Sequence, residues 1–226
     1  MSVPDVIAID GPSGAGKGTV ARAVAKALDC RHVDTGAMYR AVAWRALQQG
    51  RALDDEQAVA AVASGAVLAL DGPRVAIDGE DVSRAIRTPE MDVAASAVAR
   101  LPRVRAALVA RQRDLAGGGS IVMEGRDIGT IVFPDAPVKI FLDASPAARA
   151  ARRAQDPAHR QPRGARLADV ARALDARDRR DRTRRASPLE QAPDAVRIDT
   201  TELAIDAVVA QVMAVIRDRR RTVSRS

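Results

Sequence analysis

Aromatic side chains are almost missing: one Trp, one Tyr and two Phe in 226 residues. Binding unpaired bases relies on stacking platforms, so this scarcity argues against a single-strand nucleic-acid binder. Cysteine occurs once, at Cys30, which excludes an intrachain disulfide and a cysteine-rich zinc site. His32 and His159 are the two histidines, and neither stands at a recognisable spacing from a ligand or nucleophile, so both read as structural or exposed. Lysine is confined to Lys17, Lys26 and Lys139 although Lys and Arg together number 36, so the net charge of +7 is carried by arginine. No apolar run approaches the length of a membrane span, and a strand pattern begins almost at the N-terminus where a leader would stand. These absences lead to the expectation of a cytoplasmic chain with no membrane partner.

Hydrophobic residues make up 47% of the chain, enough for a sizeable core built from Ala, Val, Ile and Leu. The length suits one large α/β domain, or a core with small insertions. A pI of about 10.7 suits nucleic acid, or equally a pocket for two polyphosphates, since arginine forks match phosphate oxygens.

The organising stretch is Gly11-Pro12-Ser13-Gly14-Ala15-Gly16-Lys17-Gly18-Thr19. An apolar run, Val6-Ile7-Ala8-Ile9, precedes it, and a helical pattern of Val20, Ala23, Val24, Ala27 and Leu28 follows. Strand, glycine loop and helix are the context a phosphate-binding loop requires. Glycines let backbone N–H groups converge, and the helix start adds unpaired N–H groups with the positive end of its dipole. Lys17 supplies a charge for the outer phosphates, and Thr19 a hydroxyl for Mg²⁺ or its waters. The pattern G-x-x-x-x-G-K-[ST] is met through Lys17; Gly18 then stands where Ser or Thr is expected, and Thr19 comes one place later.

Five apolar strands alternate with helices, which predicts a parallel sheet covered on both faces. After the first strand come candidates at 31–34, 120–123, 138–142 and 196–199. Helices are expected at 37–49, from a capping box of Asp54 with Gln57 to Ser64, at 89–99, 102–116, 146–154, 167–185 and 202–217. In the last, Ile205, Val208, Val209, Val212 and Ile216 should face inward. Residues 67–79 read as a small β-hairpin with a further turn, wedged between helices as an insertion. Arg177, Asp181 and Arg184 fall on one helix face, which fits either a ligand site or a solvated salt-bridge ladder. Asp34 to Arg40 lies past a strand's C-terminal end, where ligands bind in open parallel sheets. Taken alone, Thr35 and Arg40 there fit a helix cap and a surface arginine as well.

Four segments together resemble the bacterial cytidylate kinases, within the nucleoside monophosphate kinases. They are Ile9 through Thr19, Asp34-Thr35-Gly36-Ala37-Met38-Tyr39-Arg40, Glu124-Gly125-Arg126-Asp127-Ile128-Gly129-Thr130-Ile131-Val132-Phe133-Pro134, and Arg177 to Arg184. The resemblance covers the chain except its basic tail. It implies a three-layer P-loop kinase fold: a five-stranded parallel sheet with helices on both faces, an NMP-binding insertion with a small β element, and a lid. The core would comprise 1–34, 103–154 and 167–218, the insertion 35–102 and the lid 155–166. The tail 219–226 is expected to be disordered.

The implied reaction is transfer of the γ-phosphoryl of ATP to CMP or dCMP, with Mg²⁺, by an enzyme that the resemblance implies to be a monomer with no specific nucleic-acid partner. Gly11 to Thr19 would bind ATP, and Lys17, Arg126 and Arg184 would be catalytic. Thr35, Arg40, Ser96, Arg105, Arg126, Asp127, Arg177, Asp181 and Arg184 would bind CMP. Among these, Ser96, Arg105 and Asp127 match base-contacting positions and Asp181 the position that meets ribose hydroxyls. A carboxylate accepts from the exocyclic amine of cytosine, whereas uracil presents a carbonyl there. Glu124 stands where an acidic metal-site residue is found, and could instead face a neighbouring arginine. Arg149, Arg153 and Arg160 are candidates to close over ATP. Two other readings remain at this level: a P-loop kinase for UMP or AMP, and a nucleotide-dependent switch that binds nucleic acid.

Overall fold

The computed structural model describes residues 6–156 and 166–223. Its centre is β1 (Val6–Asp10), in which every residue is buried. β1 is flanked by β6 (Ile121–Gly125) and β7 (Val138–Asp143), with β2 (Arg31–Asp34) and β8 (Val196–Asp199) at the edges. All four pairings are parallel, giving the order β2-β6-β1-β7-β8. The expected five strands are all present.

Strand alternation splits the core into two layers. Val6 and Ala8 of β1, with Val33, Ile121 and Met123, face α2 (Thr35–Gln48), α3 (Glu56–Gly65), α4 (Pro89–Val98) and α5 (Pro102–Ala116). Ile7 and Ile9, with Val122, Ile140 and Leu142, face α1 (Lys17–Ala27) and α8 (Ile205–Val223). The apolar side chains are small, and burial of many Ala and Val residues takes the place of aromatic bulk. Between α3 and α4 lies a separate antiparallel sheet of β3 (Leu68–Asp71), β4 (Arg74–Ile77) and β5 (Glu80–Asp81). It is three-stranded: the turn expected after the hairpin carries a short third strand. Trp44 of α2 is partly buried between the main core and the cluster beneath this small sheet, and the Arg45 guanidinium lies 5.2 Å from its ring centroid. The remaining helices are α6 (Pro146–Gln155) and α7 (Leu167–Thr183). No helix among the described residues is long and apolar enough to cross a membrane.

Several local expectations are corrected. α3 is capped by Asp55, whose side chain accepts from the Ala58 N–H at 3.0 Å, and not by Asp54. Both positions carry the same residue type, and only the backbone geometry distinguishes them. α2 begins at Thr35, because Asp34 caps it through the Ala37 N–H. α7 stops at Thr183, two residues early, and leaves Arg184 in extended backbone. Residues 218–223 are not irregular: α8 continues to Val223, and Arg219 donates to the Asp194 carbonyl at 3.2 Å, while the last three residues of the expected tail lie outside the described residues. Ile205, at the first turn of α8, is 40% exposed and does not face inward. The proposed lid lies almost wholly outside the described residues; Gln155 belongs to α6 and Arg166 caps α7.

β1 hands over to the glycine loop at Gly11, where φ is +146°. A Cβ there would meet the Leu142 carbonyl oxygen at 2.0 Å, so the loop can leave the sheet only with glycine at this position. Gly11→Ala should therefore lower folding stability by about 2–4 kcal/mol, measured by denaturant unfolding.

Candidate active site

The strands end side by side, and the site opens at their C-terminal edge. A cavity of about 1190 Å³ is lined by Ser13 through Thr19 on one side and by Thr35, Arg40, Ser96, Arg105, Arg126 and Asp127 on the other. Arg177, Asp181 and Arg184 close it from the α7 side. The sequence-predicted residues thus converge on one space, except Gly11 and Pro12, which shape the loop from behind.

The loop is fixed by its neighbours. Ser13 N–H donates to Asp178 Oδ1 at 3.0 Å, and the Ser13 carbonyl accepts from Arg149 Nη1 at 2.9 Å. Arg149 and Asp178 form a buried ion pair with each other, and Arg149 Nε donates to the Ala144 carbonyl at 3.1 Å. Thr200 Oγ1 donates to the Ala15 carbonyl at 3.2 Å. α1 starts at Lys17 with no side-chain cap, leaving its first N–H groups at the cavity. Lys17 is buried, and its ammonium donates to the Pro12 carbonyl at 2.7 Å. Burial, aided by Arg126, pushes its pKa down to about 7.

On the opposite side, Asp34 accepts from Arg40 at 2.9 Å and from Arg87 at 3.0 Å. Burial alone would raise the Asp34 carboxyl, but these two guanidiniums hold it well below the usual carboxylate range. The Thr35 hydroxyl donates to the Glu124 carbonyl at 2.7 Å, which locks β2 to β6 at their ends. Arg126 Nε donates to Asp181 Oδ2 at 3.0 Å. Asp127 is ion-paired with Arg105 Nη2, while Arg184 Nη2 stands 3.7 Å from its other oxygen. The Arg105 guanidinium lies over the Tyr39 ring at 5.5 Å. Burial pushes the Asp127 carboxyl up, against the pull of Arg105 and Arg184. Ser96 Oγ and Arg184 Nη2 are buried with no hydrogen-bond partner among the described residues.

Other residues that shape or line the cavity were not legible in the sequence. Asp10 accepts from the N–H groups of Ile128 at 2.9 Å and Gly129 at 2.8 Å. It thereby sets the π-helical turn Ile128–Val132 that presents Asp127, and burial pushes its own pKa up to about 6. Arg87 lines the cavity beside Arg40; its place just before the Thr88–Pro89 cap was the one available signal. Arg177 does not point freely at the cavity, since Asp92 of α4 holds it at 2.7 Å and also lies 3.7 Å from Arg153 and 3.8 Å from Arg40. Arg153 lines the cavity and donates to Ser13 Oγ at 2.9 Å, whereas Arg149 is committed behind the loop. Arg160 and His159 lie outside the described residues. His32 is neither exposed nor isolated: its Nε2 is 3.1 Å from Glu124 Oε1. The solvated ladder also exists, as the exposed pair Arg179–Asp175 at 2.8 Å.

Because unfolded Lys17 titrates near 10.5 and folded Lys17 near 7, the unfolded chain binds this proton more tightly. Ligand-free stability should gain from this group as pH rises through that window, and Lys17→Met should remove the gain. An anionic phosphate beside the ammonium reverses the shift. Nucleotide binding near pH 8 should therefore take up ~1 proton at Lys17, seen by calorimetry in buffers of different ionisation enthalpy and missing in Lys17→Met.

The cytidylate kinase family model matches residues 7–218. A cytidylate kinase of Solibacter usitatus (strain Ellin6076) is 47% identical over 215 residues, covering 95% of this chain and 93% of that protein. One from Geobacillus sp. (strain WCH70) is 48% identical over 218 residues, covering 94% and 96%. Among solved structures, a gluconokinase from Sinorhizobium meliloti 1021 shares the fold with a TM-score of 0.54 at 15% identity, over 100% of this chain and 99% of that one. The fold, the phosphate loop and these relatives agree: the chain belongs to the cytidylate kinase family.

Proposed function

We propose that the chain transfers the γ-phosphoryl group of ATP to CMP or dCMP, giving ADP and CDP or dCDP. The observation that carries this reading is the single cavity joining a phosphate loop to a second, arginine-lined anion site with a buried carboxylate at its far end. Ser13 to Thr19, with Lys17, would hold the donor's phosphates through backbone N–H groups and the ammonium. Arg40 and Arg126 would take the acceptor's phosphate as guanidinium forks. Asp127 and Arg105, with Ser96, would read the base. Ser96 Oγ, buried with no hydrogen-bond partner among the described residues, supports this, because a buried polar atom left without a partner is costly unless a ligand supplies one. Asp181 would meet ribose hydroxyls, and Arg177 and Arg184 the phosphates.

The chemistry asked of these residues is positioning and charge neutralisation for an in-line displacement, with no covalent intermediate on the protein. The acceptor's phosphate oxygen attacks the γ-phosphorus, and ADP leaves with the electron pair of the broken P–O bond. Mg²⁺ would be carried by the nucleotide, where it offsets phosphate charge. The Thr19 hydroxyl and the Glu124 carboxylate lining the same cavity are hard oxygen donors that fit such a cation.

ADP release from Mg·ATP should respond to CMP and dCMP and only weakly to UMP or AMP; a response to UMP equal to that with CMP would overturn the base-reading roles. Lys17→Met should slow turnover by roughly 10² or more, by analogy with loss of one charge-stabilising donor. Asp127→Ala should damage use of CMP far more than ATP binding, measured by comparing KM for CMP with ATP affinity.

A further inference from the structure

Ser187 lies in the connection between α7 and β8, and it does not line the cavity. Its φ is +52°, a left-handed conformation that it shares among described non-glycine residues only with Asp29 and Asp78. Aspartate tolerates that region through local hydrogen bonds, while serine adopts it at a cost of about 1 kcal/mol or more. The segment is held in place, since the Leu189 N–H donates to the Asp181 carbonyl at 2.8 Å. What the conformation secures is a pair of arginines. Ser187 Oγ accepts from Arg105 Nε at 2.9 Å, and the Ser187 carbonyl accepts from Arg184 Nε. Both guanidiniums are buried, and they approach the two oxygens of Asp127 from different sides. Ser187 also pulls the Asp127 carboxyl down, against the burial that raises it. One residue outside the cavity thus anchors both arginines that flank that carboxylate.

We infer that Ser187 is a specificity-setting positioning residue, which holds Arg105, Arg184 and Asp127 in the arrangement that prefers cytosine over uracil. The inference rests on the proposed base-reading role of Asp127. A hydroxyl fits because its oxygen accepts from the same Arg105 guanidinium that pairs with that carboxylate. An aliphatic side chain would leave Arg105 Nε buried without that acceptor, and the guanidinium less firmly held against Asp127.

The test compares kcat/KM for CMP and UMP in the wild type, Ser187→Gly, Ser187→Ala and Asp127→Asn, with thermal unfolding of each. Glycine adopts positive φ without strain, so Ser187→Gly should be at least as stable as Ser187→Ala. Both should lower the CMP:UMP ratio by roughly tenfold, the worth of one hydrogen bond to a charged group. Equal loss of selectivity at unequal stability supports positioning by the hydroxyl. A ratio unchanged in Ser187→Gly overturns the inference, as does a ratio that falls only with stability. If Asp127→Asn keeps the wild-type ratio, the base-reading role itself fails; if it collapses the ratio while both Ser187 variants retain it, only the Ser187 inference falls.

Discussion

The buried ion pair between Arg149 and Asp178 holds the phosphate loop from behind, and the rest of the site takes its position from that loop. Asp178 accepts the Ser13 N–H, and Arg149 donates to the Ser13 and Ala144 carbonyls, so one pair ties α6, α7, the loop and the end of β7 together. Burying two charges is expensive, and the attraction between them offsets that cost only when their remaining hydrogen-bonding capacity is used. Here backbone groups of the loop use it. Losing either partner would strand the other charge in the interior, an effect on the order of 3–5 kcal/mol in comparable pairs. Gly11 supplies the complementary constraint, letting the chain pass against Leu142 with no side chain between them.

The cavity is lined with arginines, yet it is not a bare positive field. Asp34 faces Arg40 and Arg87, Asp92 faces Arg177, Asp127 faces Arg105, and Asp181 faces Arg126. Each of these guanidiniums is oriented by a carboxylate before any phosphate arrives, which is preorganisation obtained from fixed dipoles and charges. The same geometry suits arginine better than lysine at these positions. A planar fork can hold a carboxylate along one edge and still present donors along another, while an ammonium cannot present two such fixed edges. Lys17 is the exception, and its place at the helix start calls for a compact charge.

Local patterns carried the fold. Alternating apolar strands, the Thr88–Pro89 and Ser145–Pro146 caps, and the glycine loop depend on residues close in sequence, and these elements stand where the chain's periodicity puts them. The acceptor side became legible only through family resemblance, because Ser96 and Arg105 look like ordinary helix residues. What sequence could not convey was pairing across the chain. Asp10 with the turn at Ile128, Arg149 with Asp178, His32 with Glu124 and Ser187 with Arg105 are each made by residues far apart in sequence. Their side chains read as routine helix, strand or loop composition until the sheet order brings them together. The end of α8 is hidden from the sequence for a simpler reason: a run of arginines looks solvated whether or not its backbone is helical.

The scarcity of aromatic residues has an optical consequence. Trp44 is the chain's single indole, and it is wedged at the seam where α2 meets the small antiparallel sheet. Arg45 lies close to the same ring and ties to the sheet side through Asp78 at 3.1 Å. Intrinsic fluorescence of this molecule is therefore a local gauge of how the small sheet sits on α2. It is a dye already in place on a joint between the three-stranded unit and the main core.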